Sequence, residues 1–306
     1  MKQGDLVVRK SYGGDVLFRI EQLRDNQLAV LKGTDYRLLA DSPIVDLAVV
    51  NDPDSTQASQ RVRIKVNESM RRMQQQRPPV MEDDPIRFAS GSASTSASKS
   101  HPSGQPFYEM PGKVLHLDGD GNYMRKSMQL YSQMRVPAHG IHVHESQMPE
   151  LLYRLLPELK PDIVVITGHD GVLKNRRQDD LGSISSYKNS QNFVNAVRVA
   201  RDYEKNRDSL IVIAGACQSH YEALLQAGSN FASSPGRILI HALDPVYIAI
   251  KASATPIRET IDLPDVIHGT ISGIEGVGGI ETVGRLRMGL PKPKWVKAPA
   301  STSVTL

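Results

Sequence analysis

The sequence predicts an α/β protein: a mostly parallel sheet with helices on both faces, preceded by a small β unit. Between residues 113 and 290, continuous apolar runs alternate with segments whose apolar residues recur every three or four positions. Continuous apolar runs are typical of strands buried on both faces, and their alternation with amphipathic helices indicates a parallel sheet. In the first 50 residues, short β-rich runs separated by turn residues predict the β unit.

Residues 1–55 are assigned to the small β unit. Its candidate strands are GDLVVRK, DVLFRIEQL and LAVLKG, and the pairs Gly13-Gly14 and Asp25-Asn26 between them favour turns. The length of these runs suits a compact barrel of the SH3-like kind. Residues 56–76 are polar with a weak apolar stripe, and they are predicted to form a helical connector.

A change in composition marks residues 77–112 as a flexible linker. The segment is rich in Ser, Pro and Gly and has almost no large apolar side chains. Such a chain cannot offset the entropy lost on ordering by burying apolar surface. It is also a place where proteases cut easily.

Residues 113–290 form the predicted main unit, and residues 291–306 form a tail. The five candidate strands of the main unit are KVLHLD, IHVHE, DIVVITG, SLIVIAGAC and RILIHAL. The helical segments that follow the first four strands are GNYMRKSMQLYSQMRV, MPELLYRLLPELK, NSQNFVNAVRVARDY and QSHYEALLQAG.

The overall composition excludes several classes of protein. Of the 306 residues, 40% are hydrophobic and 23% are charged, as in a globular protein. No apolar run has the length of a membrane span, and the amino terminus does not resemble a secretory signal. The net charge of +4 is mild and the basic residues are scattered, so nucleic-acid binding is not predicted. A single cysteine excludes an internal disulfide and fits a reducing compartment.

Polar side chains follow three of the predicted strands, at the carboxyl ends where parallel sheets bind ligands. Asp118 and Asp120 follow KVLHL, His169 follows DIVVIT, and Cys217 follows LIVIAG. Neighbouring strands lie about 4.8 Å apart, so His169 and Cys217 are predicted to meet across a cleft. Their separation of 48 residues accommodates a crossover connection.

This pairing predicts a thiol protease. A neighbouring imidazole raises the thiolate fraction of a cysteine and later protonates the leaving amine, so Cys217 is the candidate nucleophile and His169 the candidate general base. Backbone N–H groups around these residues are candidates to stabilise a tetrahedral oxyanion. A lone cysteine after a buried strand is more often a small core residue. The joint placement of the histidine and the thiol favours the catalytic interpretation.

At these residues the chain resembles the caspase-like cysteine peptidases. In those enzymes one hydrophobic block ends in His-Gly and a second ends in Ala-Cys, and here the blocks are DIVVITGHDG and SLIVIAGACQS. The resemblance implies a caspase-like sheet for residues 113–290. One departure is that Asp170 separates His169 from the following glycine. The backbone N–H group that stabilises the oxyanion could therefore belong to Gly168, Asp170 or Gly171.

Over nearly its whole length the sequence also resembles the YabG family of sporulation-specific proteases. The matching segments are GDLVVRKSYGGDVLFRI, KVLHLDGDGNYM, ITGHDG, AGACQSHYEALLQAGSNFASSPGRILIHALDPV and HGTISGIEGVGGIETVGRLRMGLP. The resemblance implies limited cleavage, typically after arginine, of spore coat and cortex-associated precursor proteins. It places the enzyme in the cytoplasm of the sporulating cell, at the developing spore coat. No cofactor is expected.

A preference for arginine requires an acidic group in the substrate pocket, because a buried guanidinium needs a carboxylate partner. Asp244, after RILIHAL, is one candidate, and Asp179 and Asp180 in the polar loop after His169 are two others. The same preference predicts self-cleavage in the linker. The candidate sites in and before the linker are Arg71, Arg72, Arg77 and Arg87.

Two other functional interpretations compete with a protease. Asp118 and Asp120 resemble the acidic pair of haloacid-dehalogenase phosphatases, although a structural or cleft-lining role is preferred. DGDGN also resembles the start of a calcium loop, but the twelfth position is Gln129 instead of a glutamate. The alternative to an enzyme is a non-catalytic scaffold protein of the spore coat.

Further polar residues are given no functional role. His142 and His144 would share one face of the strand IHVHE, but together with His139 they have no cysteine or carboxylate cluster nearby that would favour a metal site. Ser219 and His220 are neighbours in sequence and lack the Gly-x-Ser-x-Gly elbow of a serine hydrolase.

Overall fold

The computed structural model describes residues 1–24, 27–52, 57–75, 108–173, 181–289 and 303–305. These residues form a five-stranded sheet near the amino terminus, a seven-stranded sheet and a two-stranded ribbon. No helix in these ranges is long and apolar enough to cross a membrane.

The small β unit is an antiparallel sheet with the strand order β4-β3-β2-β1-β5. Its strands are β1 (Leu6–Arg9), β2 (Phe18–Arg24), β3 (Leu28–Gly33), β4 (Leu39–Pro43) and β5 (Leu47–Val49). A bulge in β2 between Ile20 and Gln22 interrupts its pairing with β3. The inward side chains, among them Phe18 and Leu31, are fully buried in one apolar cluster. The first three strands coincide with the predicted runs.

The predicted helical connector is α1 (Gln57–Gln75). The remaining strands are β6 (Tyr108–Met110), β7 (Val114–Asp118), β8 (Ala138–His142), β9 (Ile163–Thr167), β10 (Ile211–Ala214), β11 (Phe231–Ser233), β12 (Val277–Gly279), β13 (Arg287–Gly289) and β14 (Ser303–Thr305). The other helices are α2 (Gly121–Gln133), α3 (Met148–Leu159), α4 (Ser190–Tyr203), α5 (Tyr221–Ala227), α6 (Asp244–Ala254), α7 (Leu263–Gly269) and α8 (Gly273–Gly276).

The large sheet has the order β12-β11-β10-β9-β7-β8-β14, and its strands are parallel except for β12. Successive strand residues point to opposite faces. Val165 and Ile213 pack with α2, α6 and α7 on one face, whereas Val164 and Val212 pack with α3, α4 and α5 on the other. Helices on both faces explain why the central strands β9 and β10 are almost entirely apolar. The predicted fold class is confirmed at this level.

Three local predictions differ from the structure. The segment RILIHAL is not the fifth strand of the large sheet, because β11 takes that position and residues 240–242 bond to the small β unit instead. β8 ends at His142, and His144 caps a 3-10 turn, so these two histidines do not share a strand face. The predicted linker reaches residue 112, but β6 pairs with β13 within that range, and residues 77–107 lie outside the described residues.

The strand order places a crevice at the carboxyl end of the large sheet. β8 lies on one side of β7 and β9 lies on the other, so the connections diverge between β7 and β9. Such a switch point leaves a crevice above the strand ends, which is where open α/β sheets bind ligands. The residues singled out after β7, β9 and β10 all lie at this edge.

The packing of α3 provides a test of the fold. Leu152 is fully buried between α3 and the sheet, whereas Ile274 is 72% exposed. We expect Leu152→Ala to lower the free energy of unfolding by about 2–5 kcal/mol, because it removes apolar contacts and leaves a cavity. Ile274→Ala, the control, should change it by less than about 0.5 kcal/mol. Urea unfolding followed by circular dichroism measures both, and equal effects would contradict the assigned packing.

Candidate active site

His169 and Cys217 follow two neighbouring parallel strands. Ile166 in β9 is in register with Ala214 in β10, so the loops after both strands leave the sheet at the same edge. The predicted adjacency of the two strand ends is therefore present. Both side chains are buried, with exposures of 1% for His169 and 0% for Cys217.

The imidazole of His169 faces the carboxylate of Asp120. Its Nε2 lies 3.7 Å from Asp120 Oδ2, and its ring lies against Tyr123 with a centroid distance of 5.4 Å. Neither ring nitrogen has a hydrogen-bond partner among the described residues. Burial lowers the pKa of His169 to about 4, against the opposing charge of Asp120. The ring is therefore neutral near pH 7.

Asp120 is placed by its role as the amino-terminal cap of α2. Its Oδ1 accepts hydrogen bonds from the backbone N–H groups of Asn122 and Tyr123, at 2.8 and 3.1 Å. A capping aspartate satisfies amides that have no partner within the helix. This bonding holds the second oxygen, Oδ2, toward His169. No local sequence pattern links Asp120 to His169, which lies 49 residues further along the chain.

A buried glutamate holds the backbone of His169. The Oε1 of Glu145 accepts the His169 N–H at 2.9 Å, and Asn189 Nδ2 donates to the His169 carbonyl at 2.7 Å. A Cβ at Gly119 or Gly168 would collide with the Glu145 carboxylate. Both glycines therefore allow the carboxylate to lie between the ends of β7 and β9. Glu145 was not identified from the sequence, because it follows a different strand.

The thiol of Cys217 points to the backbone of Ile240. Its Sγ accepts the Ile240 N–H at 3.2 Å and donates to the Ile240 carbonyl at 3.5 Å. Burial raises the pKa of this thiol, although the bond from Ile240 opposes the shift. Cys217 packs with Leu38 in the apolar cluster of the small β unit. In this arrangement the thiol is protonated, covered and not bonded to His169.

Asp170, which departs from the His-Gly pattern, joins the loops after β9 and β10. Its Oδ1 accepts the N–H groups of Gly171 and Asn189, both at 2.8 Å. Its Oδ2 accepts the hydroxyl groups of Ser190 and Ser219, at 2.5 and 2.9 Å. Burial raises the pKa of Asp170 to about 6, against these hydrogen bonds. Of the three candidate oxyanion donors, the Gly171 N–H is thus engaged by Asp170.

Ser219 and His220 do not form a catalytic pair. Ser219 Oγ accepts the N–H of Ala216 at 2.9 Å while donating to Asp170. His220 Nδ1 accepts the Ala223 N–H at the start of α5, and Nε2 lies 2.8 Å from the carbonyl of Gly182. Both side chains stabilise the loop that carries Cys217.

Asp118 forms a buried ion pair with Arg37 from the loop between β3 and β4. Arg37 Nη1 donates to Asp118 Oδ1 at 3.0 Å, and Nη2 lies 2.8 Å from Oδ2. Burial alone would raise the pKa of Asp118, but the charge of Arg37 outweighs it and lowers that pKa. Both side chains are 0% exposed, so Asp118 is not placed as an accessible phosphatase nucleophile.

Asp244 is also fully buried. Its carboxylate accepts backbone N–H groups from Ile271 at 2.7 Å, from His241 at 3.2 Å and from Ser272 at 3.3 Å. Burial raises its pKa to about 6. These bonds attach residues 271–272 to the start of α6 and leave the carboxylate without open surface. Asp179 and Asp180, the other candidates for an arginine pocket, lie outside the described residues.

An open groove of about 950 Å³ runs between the small β unit and the large sheet. Its walls include Leu38 and Leu39 on one side and Val172, Asn189 and Gln218 on the other. One lining residue, Gln218, directly follows Cys217 in sequence. Its size is within the range of ligand-binding clefts.

The chain is similar to known sequences over nearly its full length. The model of the YabG peptidase U57 family matches residues 2–291. The chain is 41% identical over 292 residues to the "Sporulation-specific protease YabG" of Bacillus subtilis (strain 168), which covers 94% of this chain and 97% of that protein. No solved structure matches the chain.

The burial of Cys217 predicts a slow reaction with small alkylating reagents. Near neutral pH, we expect iodoacetamide to modify the native protein at least about 100-fold more slowly than the urea-unfolded chain, because only transiently opened molecules expose the thiol. Intact-mass spectrometry measures both rates, and a single cysteine limits the product to one adduct. A native rate within tenfold of the unfolded rate would contradict the covered position.

Proposed function

The chain belongs to the YabG peptidase U57 family, and on that premise we propose that it is a sporulation-specific cysteine endopeptidase. Its proposed substrates are spore coat and cortex-associated precursor proteins, cut after arginine. The observation that carries the cysteine class is that the one cysteine in the sequence and a buried, neutral histidine follow two neighbouring parallel strands.

The proposed mechanism divides the chemistry between Cys217 and His169. His169 accepts the thiol proton, and the resulting thiolate attacks the substrate carbonyl carbon. The imidazolium then protonates the leaving amine, and water hydrolyses the acyl-enzyme. Asp120 stabilises the imidazolium and orients the ring, since its Oδ2 lies 3.7 Å from Nε2. The thiol must first leave Ile240 and turn toward His169.

Backbone groups supply the proposed oxyanion site. The tetrahedral intermediate carries a negative oxygen that preorganised N–H donors stabilise. Gly168 and Asp170 are the preferred donors of the three candidates, because the Gly171 N–H donates to the Asp170 carboxylate. Glu145 serves as a positioning residue that holds the His169 backbone.

We also propose a more specific fold for each of the two larger sheets. A caspase-like arrangement is supported by five parallel strands in the order β8-β7-β9-β10-β11 and by the antiparallel edge strand β12. An SH3-like barrel is supported by five short antiparallel strands and the bulge in β2. We assign the enzyme to the cytoplasm of the sporulating cell, at the developing coat.

A scaffold role in the spore coat and a phosphatase role are weaker proposals. Membership of a peptidase family argues against both. The phosphatase interpretation also requires an accessible Asp118, whereas this carboxylate is buried against Arg37.

Peptide hydrolysis tests the proposed function directly. On fluorogenic peptides that differ only at the residue before the scissile bond, we expect the wild type to prefer arginine. Cys217→Ala should abolish cleavage, and His169→Ala should lower kcat by roughly 10²–10⁴-fold through loss of the general base. His268→Ala, which changes an exposed histidine on α7, is the control and should keep full activity. Unchanged cleavage by Cys217→Ala would overturn the assignment.

Self-cleavage gives a second test of the arginine preference. We expect purified wild-type protein to accumulate fragments that end at Arg77 or Arg87, because a segment rich in Ser, Pro and Gly is the kind of sequence that proteases cut most easily. Arg71 and Arg72 lie within α1, where backbone hydrogen bonds disfavour cleavage. Mass spectrometry of the wild type beside Cys217→Ala identifies the fragments. Equal fragments in both preparations would point to contaminating proteases.

A further inference from the structure

A buried arginine from the small β unit fills a polar pocket in the large unit. Besides the two contacts with Asp118, the guanidinium of Arg37 donates to the carbonyl of Ala242 from Nε at 3.0 Å and from Nη2 at 2.8 Å. Its carbon Cζ lies 5.1 Å from the centre of the Tyr123 ring. Asp118, Ala242 and Tyr123 all belong to the large unit. That unit therefore provides a complete binding site for one arginine side chain.

The backbone around Arg37 is paired as an added strand. Ala242 N donates to Asp35 O at 2.8 Å and Arg37 N donates to Ile240 O at 3.3 Å, with an antiparallel bridge between Tyr36 and His241. An extended peptide held by main-chain bonds, with its side chains in pockets, is a common mode of peptide recognition.

The other edge of the same segment pairs with the loop that carries the candidate base. Leu38 forms a parallel bridge with Asp170, and Leu39 N donates to Asp170 O at 3.4 Å. Residues 35–39 therefore lie between the loop after β9 and residues 240–242, which follow the loop that carries Cys217. In this position they cross the candidate active site.

Arg37 is also next to the thiol. The carbonyl of Ile240 accepts both the Arg37 N–H and the Cys217 thiol, so the two donors lie around one oxygen. Leu38, the next residue, belongs to the apolar cluster that covers Cys217. The open groove then continues past Leu38 and Leu39 to Gln218.

We propose that residues 35–39 occupy the peptide-binding cleft of the enzyme, that Arg37 fills the pocket for the residue before the scissile bond, and that Asp118 is the acid that recognises arginine there. This inference rests on the proposed function and names its specificity-determining residue. It replaces Asp244, whose oxygens are engaged by backbone N–H groups. In this form the segment blocks the cleft, and a substrate binds only when the segment withdraws.

A contribution to stability does not by itself explain the buried ion pair between Arg37 and Asp118. A buried ion pair contributes little net stability, because desolvation of both charges offsets their attraction, and apolar residues of the same size often serve as well. A pocket that must bind arginine from a substrate requires the carboxylate in any case. The internal arginine then neutralises Asp118 while the cleft is closed.

Alkylation by peptidyl chloromethyl ketones tests the inference without requiring turnover. The probes are one tripeptide ketone ending in arginine and a matched one ending in norleucine, and the readout is the rate of Cys217 modification by intact-mass spectrometry. We expect Arg37→Ala to react with the arginine probe at least about tenfold faster than the wild type. The variant should prefer arginine over norleucine by a similar factor, and Arg37→Ala/Asp118→Asn should lose that preference.

Two further variants serve as controls. Arg19→Ala removes an exposed arginine from the same small sheet and should react like the wild type. If Arg37→Ala fails to fold because Asp118 is left unpaired, Arg37→Gln keeps a hydrogen-bond donor in the pocket and should show the same direction of change. Folding of each variant is checked by its melting curve.

The outcomes separate the inference from the proposed function. If the Arg37 variants react no faster than the wild type, or show no preference for the arginine probe, the cleft assignment is wrong. If the labelling follows the expected pattern but no variant hydrolyses fluorogenic arginine peptides, the cleft assignment stands and the peptidase proposal fails.

Discussion

The buried ion pair between Arg37 and Asp118 is the contact on which the geometry of the site depends. It joins the loop after β3 to the end of β7, and both side chains are excluded from water. Asp118 Oδ1 also accepts the N–H of Asp120 at 2.9 Å, which places the cap of α2 and, through it, the carboxylate facing His169. Removal of one partner would leave an uncompensated buried charge, which is far more costly than the pair itself. The position of the small β unit and that of the candidate base are therefore linked through one carboxylate.

A second buried carboxylate, that of Asp170, organises the loops after β9 and β10. It joins the loop after β9 to Ser190 at the start of α4 and to Ser219 in the loop after β10. Asp170, which lies between His169 and Gly171 in sequence, therefore has a structural role. Its main-chain carbonyl accepts the N–H of Leu39, so the same residue also contacts the small β unit. Asp118 is thus neutralised by an ion pair, and Asp170 is saturated with hydrogen bonds.

The sequence predicted what depends on local pattern and missed what depends on distant pairing. Unbroken apolar runs such as DIVVITG indicated a sheet covered on both faces, and the strands that precede His169 and Cys217 were correctly predicted to be neighbours. The strands β4 and β5 were missed because they are short and β4 contains Asp41, Ser42 and Pro43. RILIHAL was assigned to the large sheet, since an apolar run does not reveal which neighbour it will bond. Arg37 and Glu145 carry no local signal, because their partners lie 81 and 24 residues away in sequence.

The covered position of Cys217 has a consequence for the chemical lifetime of the protein. Oxidation of a cysteine to sulfenic acid and beyond follows the exposure and the thiolate fraction of its sulfur. The sulfur of Cys217 is fully buried, and burial raises its pKa, so both conditions for oxidation are suppressed. In the proposed mechanism, peroxide would reach the sulfur only when the segment around Arg37 withdraws. For the proposed nucleophile, the closed form therefore preserves a reduced sulfur during long periods without substrate, and the sulfur becomes vulnerable to oxidation in the conformation that exposes it.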